Sequence, residues 1–165
     1  MRHLPALVLP ALAVVALLAG CTSAPPVDEQ ALGRWKTQQE ARTETDDAVL
    51  GVLSADTSPG DEDPAHLEPG VRVQFPDSRT IDHLEFSCYG NGHMRGIVRT
   101  VLPGGSQSIE LDPMDCRDSP HRIELSSSKA VDSVAFNDFD SDRPSAWRLV
   151  IIGPGPSGSD YRSTW

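Results

Sequence analysis

The sequence predicts a mainly β chain, folded as a seven-stranded antiparallel β-sandwich behind a polar helical or disordered spacer. Three observations predict it. From Val71 onward apolar and polar residues alternate with a period of two, turn residues interrupt the alternation at short intervals, and Cys88 and Cys116 both fall inside that stretch. Period two places alternate side chains on opposite faces of a strand, so each segment has one face for a core and one for water. Many short strands joined by turns fit a sandwich better than a helix-crossed sheet.

The N-terminal segment carries Arg2 and then an apolar run from Leu4 to Leu18. That run is short for a permanent membrane helix and has the layout of a secretory signal. It closes on Leu18-Ala19-Gly20-Cys21, which resembles the lipobox of bacterial lipoproteins. The resemblance implies a signal peptide over 1–20, cleavage after Gly20, and a diacylglyceryl anchor on Cys21 that holds the protein at the extracellular face of the cell membrane. A plain secretory signal cut near Ala24 is the alternative.

Residues 21–70 are expected to be a tether, a polar helix and an acidic linker. Thr22 to Val27 is the tether, and Asp28 before Glu29 and Gln30 has the form of a helix start. Ala31, Leu32 and Trp35 are the apolar residues of that helix, with nothing large until Val49. Without a continuous apolar stripe it reads as a spacer or frayed stalk. Val49, Leu50, Val52 and Leu53 form a small cluster that docks on the domain, and the Pro-, Gly- and acid-rich run from Asp56 to Gly70 reads as a linker.

The sandwich is expected over 71–153. Its inward residues are Val71, Val73 and Phe75; Leu84, Phe86 and Cys88; Ile109 and Leu111; Ile123 and Leu125; Val134 and Phe136; and Trp147, Leu149 and Ile151. Met94 to Leu102 is apolar on both parities, which predicts a strand buried on both faces or bulged near Gly96. Turns are expected at Pro76-Asp77-Ser78, Gly90-Asn91-Gly92, Pro103-Gly104-Gly105 and over Asn137 to Pro144. Residues 154–165 have no core periodicity and read as a flexible tail.

With Cys21 acylated, Cys88 and Cys116 remain as an even pair for an oxidising compartment. Bonding them closes a loop of about 29 residues, worth roughly 3.6 kcal/mol in the chain-entropy model. The pattern Phe86-Ser87-Cys88-Tyr89-Gly90-Asn91-Gly92, the second cysteine, His121-x-Ile123-x-Leu125 and Ala146-Trp147-x-Leu149 resembles a group of small cysteine-bearing β-sandwich lipoproteins common in actinobacteria. The resemblance spans residues 70–153 and carries fold and address, with no catalytic residues.

Fourteen Lys plus Arg face 24 Asp plus Glu, a net charge of −10. That field repels nucleic acid, and no local basic patch offsets it. Asp138, Asp140 and Asp142 are the weak candidate for a metal, since alternating carboxylates offer oxygens to Ca²⁺. Arg143 and Leu149 occupy positions where an EF-hand loop needs Gly and Glu. The competing reading is an acidic hairpin loop facing solvent. His83, His93 and His121 lack the paired spacing of a zinc site. No nucleophile elbow, Ser-x-x-Lys frame or phosphate loop is present.

The expectation is therefore a non-catalytic, membrane-anchored interaction domain without a cofactor, its partner an envelope protein or glycan. A glycan-binding or Ca²⁺-assisted binding module and a small hydrolase are the alternatives. Metabolic labelling with a fatty-acid probe should mark the chain, and Cys21→Ala should abolish the label; unchanged labelling in that variant would rule out the anchor.

Overall fold

The computed structural model describes residues 27–61, 70–125 and 130–155. The expected signal peptide, Cys21 and most of the tail lie outside the described residues.

Helix α1 (Glu29–Thr43) starts where Asp28 accepts the Ala31 amide at 3.0 Å, and Arg42 favours its C-terminal end. The strands are β1 (Val49–Thr57), β2 (Gly60–Asp61), β3 (Val71–Arg79), β4 (His83–Cys88), β5 (His93–Leu102), β6 (Gly105–Asp115), β7 (His121–Glu124), β8 (Val131–Ser141) and β9 (Ser145–Ile152). They form two antiparallel sheets. The first runs β1-β9-β4-β7; the second runs β8-β5-β6, with β3 and the two-residue β2 sharing the outer edge of β8.

The architecture has eight full strands where seven are expected, because β1 belongs to the first sheet. The sandwich thus begins before residue 71, at Val49. The cluster Val49 to Leu53 does more than dock: Leu53 is buried and pairs with Leu149. Two expected turns are strand instead. Pro76-Asp77-Ser78 is an irregular stretch within β3, and Asn137 to Ser141 extends β8, leaving Asp142 to Pro144 as the turn. Gly90 and Gly104 take positive φ, +96° and +101°, in the two turns expected around them.

The inward parity holds for β4 and β9. Leu84, Phe86, Cys88, Trp147, Leu149 and Ile151 are all buried between the sheets. Phe136 meets Phe86 at 5.2 Å between centroids and Trp147 at 4.7 Å, edge-on. These offset and edge arrangements suit the ring quadrupoles. Beside them β5 slips register at Gly96 and is buried on both parities around it, so both alternatives expected for Met94 to Leu102 are present. A Cβ at 96 would stand 2.3 Å from Phe136 Cζ and 2.7 Å from the Asn137 carbonyl.

Cys88 at the end of β4 is bonded to Cys116, which opens a single 3-10 turn after β6. The Cys116 amide donates to the Gly92 carbonyl at 2.9 Å. The bridge pins the β6–β7 connection, which crosses from the second sheet to the first, to the end of β4.

Two stability measurements follow. Cys88→Ala should cost about 2–5 kcal/mol by denaturant titration. Gly96→Ala should cost about 1–3 kcal/mol, because neither the Phe136 ring nor the Asn137 backbone has room to retreat. A neutral Gly96→Ala would mean that the bulge is not held by that ring.

Candidate functional site

Leu32, Trp35, Lys36, Gln39 and Thr43 recur at helical spacing and share one face of α1. That face is laid over the outer side of the first sheet, so α1 is not a free spacer. The stripe is apolar only at its start because the surface it meets is polar. By strand parity Ser54, Asp56, His83, Glu85, Ser87 and Arg148 project from β1, β4 and β9 away from the core.

Four contacts seat the helix. Lys36 Nζ lies 2.6 Å from Asp56 Oδ1, Arg42 Nη2 lies 3.9 Å from Glu85 Oε2, and Arg148 Nη2 donates to the Thr43 hydroxyl at 2.6 Å. Trp35 meets Tyr89 edge-on at 5.9 Å, with the ring planes 61° apart. Two clefts stay open between these contacts. The first, of about 210 Å³, is bounded by Trp35, Lys36, Gln39, Glu40, Asp56 and Arg148. The second, of about 270 Å³, lies between His83, Glu85 and Ser87 below and Gln39, Arg42 and Thr43 above.

Arg148 sets the electrostatics of the first cleft. Burial pushes its pKa down, Glu40 draws it back up, and Arg42 repels it; a guanidinium stays charged at neutral pH even so. Among the described residues Arg95, Arg143 and Arg148 have a buried Nε without a hydrogen-bond partner. Arg95 reaches Glu110 at 2.6 Å and Arg143 reaches Asp142 at 3.5 Å, whereas no described carboxylate comes within 4.0 Å of Arg148.

Of the three aspartates of the acidic motif only Asp142 lies in the solvent-facing turn; Asp138 and Asp140 belong to β8. Asp138 accepts Trp147 Nε1–H at 2.8 Å and the Thr57 hydroxyl. Asp140 faces Arg95 at 3.9 Å, and Asp142 accepts the His93 amide at 2.9 Å. Asp138 is tied to β9 and β1, and Asp140 and Asp142 both to β5. Among the described residues no three His, Cys, Asp or Glu side chains gather as a metal site would require. His83 holds Asp82 at 2.7 Å at the start of β4. At the disulfide end, His121 Nε2 lies 2.7 Å from the Asp115 carbonyl, and His93 stands between Asp115 (3.8 Å) and Asp142 (3.7 Å).

Parity alone sends Arg148 outward, and the 32-35/36-39-43 spacing marks the face of α1. What the sequence withholds is that these two surfaces meet. Comparison of the chain with protein-family models, with curated proteins and with solved structures finds no match.

Three carboxylates titrate below their usual range. Asp115 is held well down by hydrogen bonds from the Arg117 side chain and amide, against the pull of burial. Asp82 is lowered by His83 and Arg122. Partial burial works against Asp142, but the His93 amide and Arg143 outweigh it. Carboxylates depressed in the fold stabilise it above their unfolded pKa of about 4, and that stability is lost as pH falls through the folded values. The melting temperature should therefore hold from pH 7 to about 5 and drop below about 4. Asp115→Asn should melt lower at pH 7, with the gap closing towards pH 2; a gap that persists in acid would exclude this linkage.

Proposed function

We propose that this chain is a lipid-anchored protein on the extracellular face of the cell membrane, with the sandwich as a non-catalytic binding module. The cleft between α1 and the first sheet is its binding face. The observation that carries the reading is Arg148, a charged side chain that lines the cleft between helix and sheet and has no described carboxylate within 4.0 Å. A charge held between two elements costs solvation unless something compensates it.

Other features support the address. The stretch before Cys21 supports acylation, and the Cys88–Cys116 bridge suits an oxidising compartment. The acidic balance disfavours nucleic acid. The partner is an envelope protein or an envelope glycan, and the cleft is small enough to take only one group of it.

Intact cells provide the test. Protease added from outside should degrade the domain without lysis, and the full chain should sediment with membranes while Cys21→Ala is released. Degradation only after lysis would exclude the outer face. A photo-crosslinker at Gln39 should capture a defined partner that one at Glu110, on the opposite sheet, does not; equal capture from both would exclude the cleft as the binding face.

A further inference from the structure

We infer that β6 is a pairing edge for a second copy of this chain, the two copies joining antiparallel about Ser108 into one continuous sheet. Apart from the two-residue β2, four strands lie at sheet edges among the described residues: β1 and β7 in the first sheet, β3 and β6 in the second. Three of them are blunted, as natural edges usually are. β7 has four residues, β3 carries Pro76 in an irregular stretch, and β1 is broken between Val49 and Gly51 and flanked by the Lys36–Asp56 ion pair. β6 is different. From Gly105 to Leu111 it pairs residue for residue with β5, and Gly-Ser-Gln-Ser-Ile-Glu-Leu holds no proline, lysine or arginine. Only beyond Leu111 does the register slip, where Pro113 ends the regular edge.

Ladder geometry tells which groups are free. Only Pro103 and Gly104 separate β5 from β6, so Leu102 and Gly105 exchange hydrogen bonds as the closing pair of the hairpin. Antiparallel pairs alternate, and the N–H and C=O groups of Ser106, Ser108 and Glu110 therefore point away from β5. All three residues are exposed, and no described residue bonds to those outward backbone groups. The set is its own complement. About a two-fold axis at Ser108, Ser108 faces its copy and each Ser106 faces a Glu110, giving about six backbone hydrogen bonds. Glu110 is the one charged residue of the segment; Arg95 holds it at 2.6 Å, and the opposing Ser106 hydroxyl meets it across the axis. The two Glu110 residues stay roughly 14 Å apart, where physiological salt screens their repulsion. On the inner face Gln107 covers the opposing Ile109, which the lone chain leaves only partly buried. A foreign strand would need its own match at every one of these positions; a second copy supplies them all.

Cysteine pairing tests the register, on the full chain purified in detergent and mildly oxidised, with the wild type as control for the native cysteines. Opposed residues in such a pair have Cα atoms about 5.5 Å apart, within reach of a disulfide. Ser108→Cys should therefore bridge two chains by itself. Ser106→Cys alone and Glu110→Cys alone should not, because each lies roughly 14 Å from its own copy, whereas a mixture of the two should. The photo-crosslinker at Glu110 should join the chain to itself and to nothing else, so it still serves as the control for the cleft.

Ser108→Pro removes a donor aimed at the partner and none aimed at β5, the one kind of position where an edge strand tolerates proline. By sedimentation equilibrium it should weaken the dimer at least about tenfold, with the melting temperature of the monomer unchanged. Should that variant fail to fold, Ser108→Asp sits across from Arg99 in its own copy, sets like charges opposite one another across the axis, and should weaken the dimer likewise. A chain that stays monomeric at about 1 mM, where even weak specific pairs form, overturns the edge. So does a dimer in which Ser108→Cys forms no bridge, bridging by Ser106→Cys or Glu110→Cys alone that equals it, or a dimer that survives both Ser108→Pro and Ser108→Asp. Protease shaving, membrane sedimentation and capture at Gln39 do not read this edge, so its failure leaves the anchor and the cleft untouched.

Discussion

Phe136 fills a slot that exists because residue 96 has no side chain, and much of the sandwich is arranged around that fit. Its ring reaches across the interior from β8, touches Phe86 of β4 and Trp147 of β9, and covers the bulge in β5. One side chain thereby joins four strands from both sheets. The indole that it packs on is held from its other end by Asp138, which also takes the Thr57 hydroxyl of β1. A carboxylate this close to a core costs solvation unless it is fully bonded, and here two donors from two other strands meet that need. The polar end of the core thus adds β1 to the β8 and β9 already joined at its aromatic centre.

The outer face of the first sheet is held by weaker forces. Leu32 is the one buried apolar residue of α1, and burying a leucine contributes about 2 kcal/mol. The ion pairs Lys36–Asp56 and Arg42–Glu85 are well exposed, and pairs of that kind contribute about 0–1 kcal/mol each. The helix therefore opens at far lower cost than the sheets separate, which is the usual position of elements that border a binding cleft.

How much of this was legible in the sequence depends on what each residue answers to. The parity of β4 and β9, the bulge at Gly96 and the pairing of Cys88 with Cys116 follow from local rules, and each is present. β1 escaped notice because it is an edge strand carrying Gly51, Ser54 and Asp56, so its alternation is faint; its outer side faces α1 with Ser54 and Asp56 still exposed. Asn137 to Ser141 read as a turn because Asn137, Asp138 and Asp140 are polar. Asn137 accepts the Gly70 amide, Asp138 the Trp147 indole, and Asp140 faces Arg95. Those partners lie tens of residues away or on another strand, and no local pattern announces them. The cleft was hidden for the same reason: Arg148 and the face of α1 are each readable, but their meeting is a tertiary event.

The order in which the chain visits these elements also decides how the molecule bears load. A pull transmitted from the N-terminal side of Asp28 reaches α1 first, and the side-chain clasps at Lys36, Arg42 and Thr43 meet it one after another. They yield in sequence, like a zip, before the β1–β9 ladder and the aromatic centre give way. If the fifteen residues of α1 then unwind, the chain gains roughly 28 Å of reach, the difference between an extended and a helical backbone. Under such a pull the helix would act as a mechanical fuse ahead of the sandwich, lengthening and exposing the polar face beneath it before the strands part.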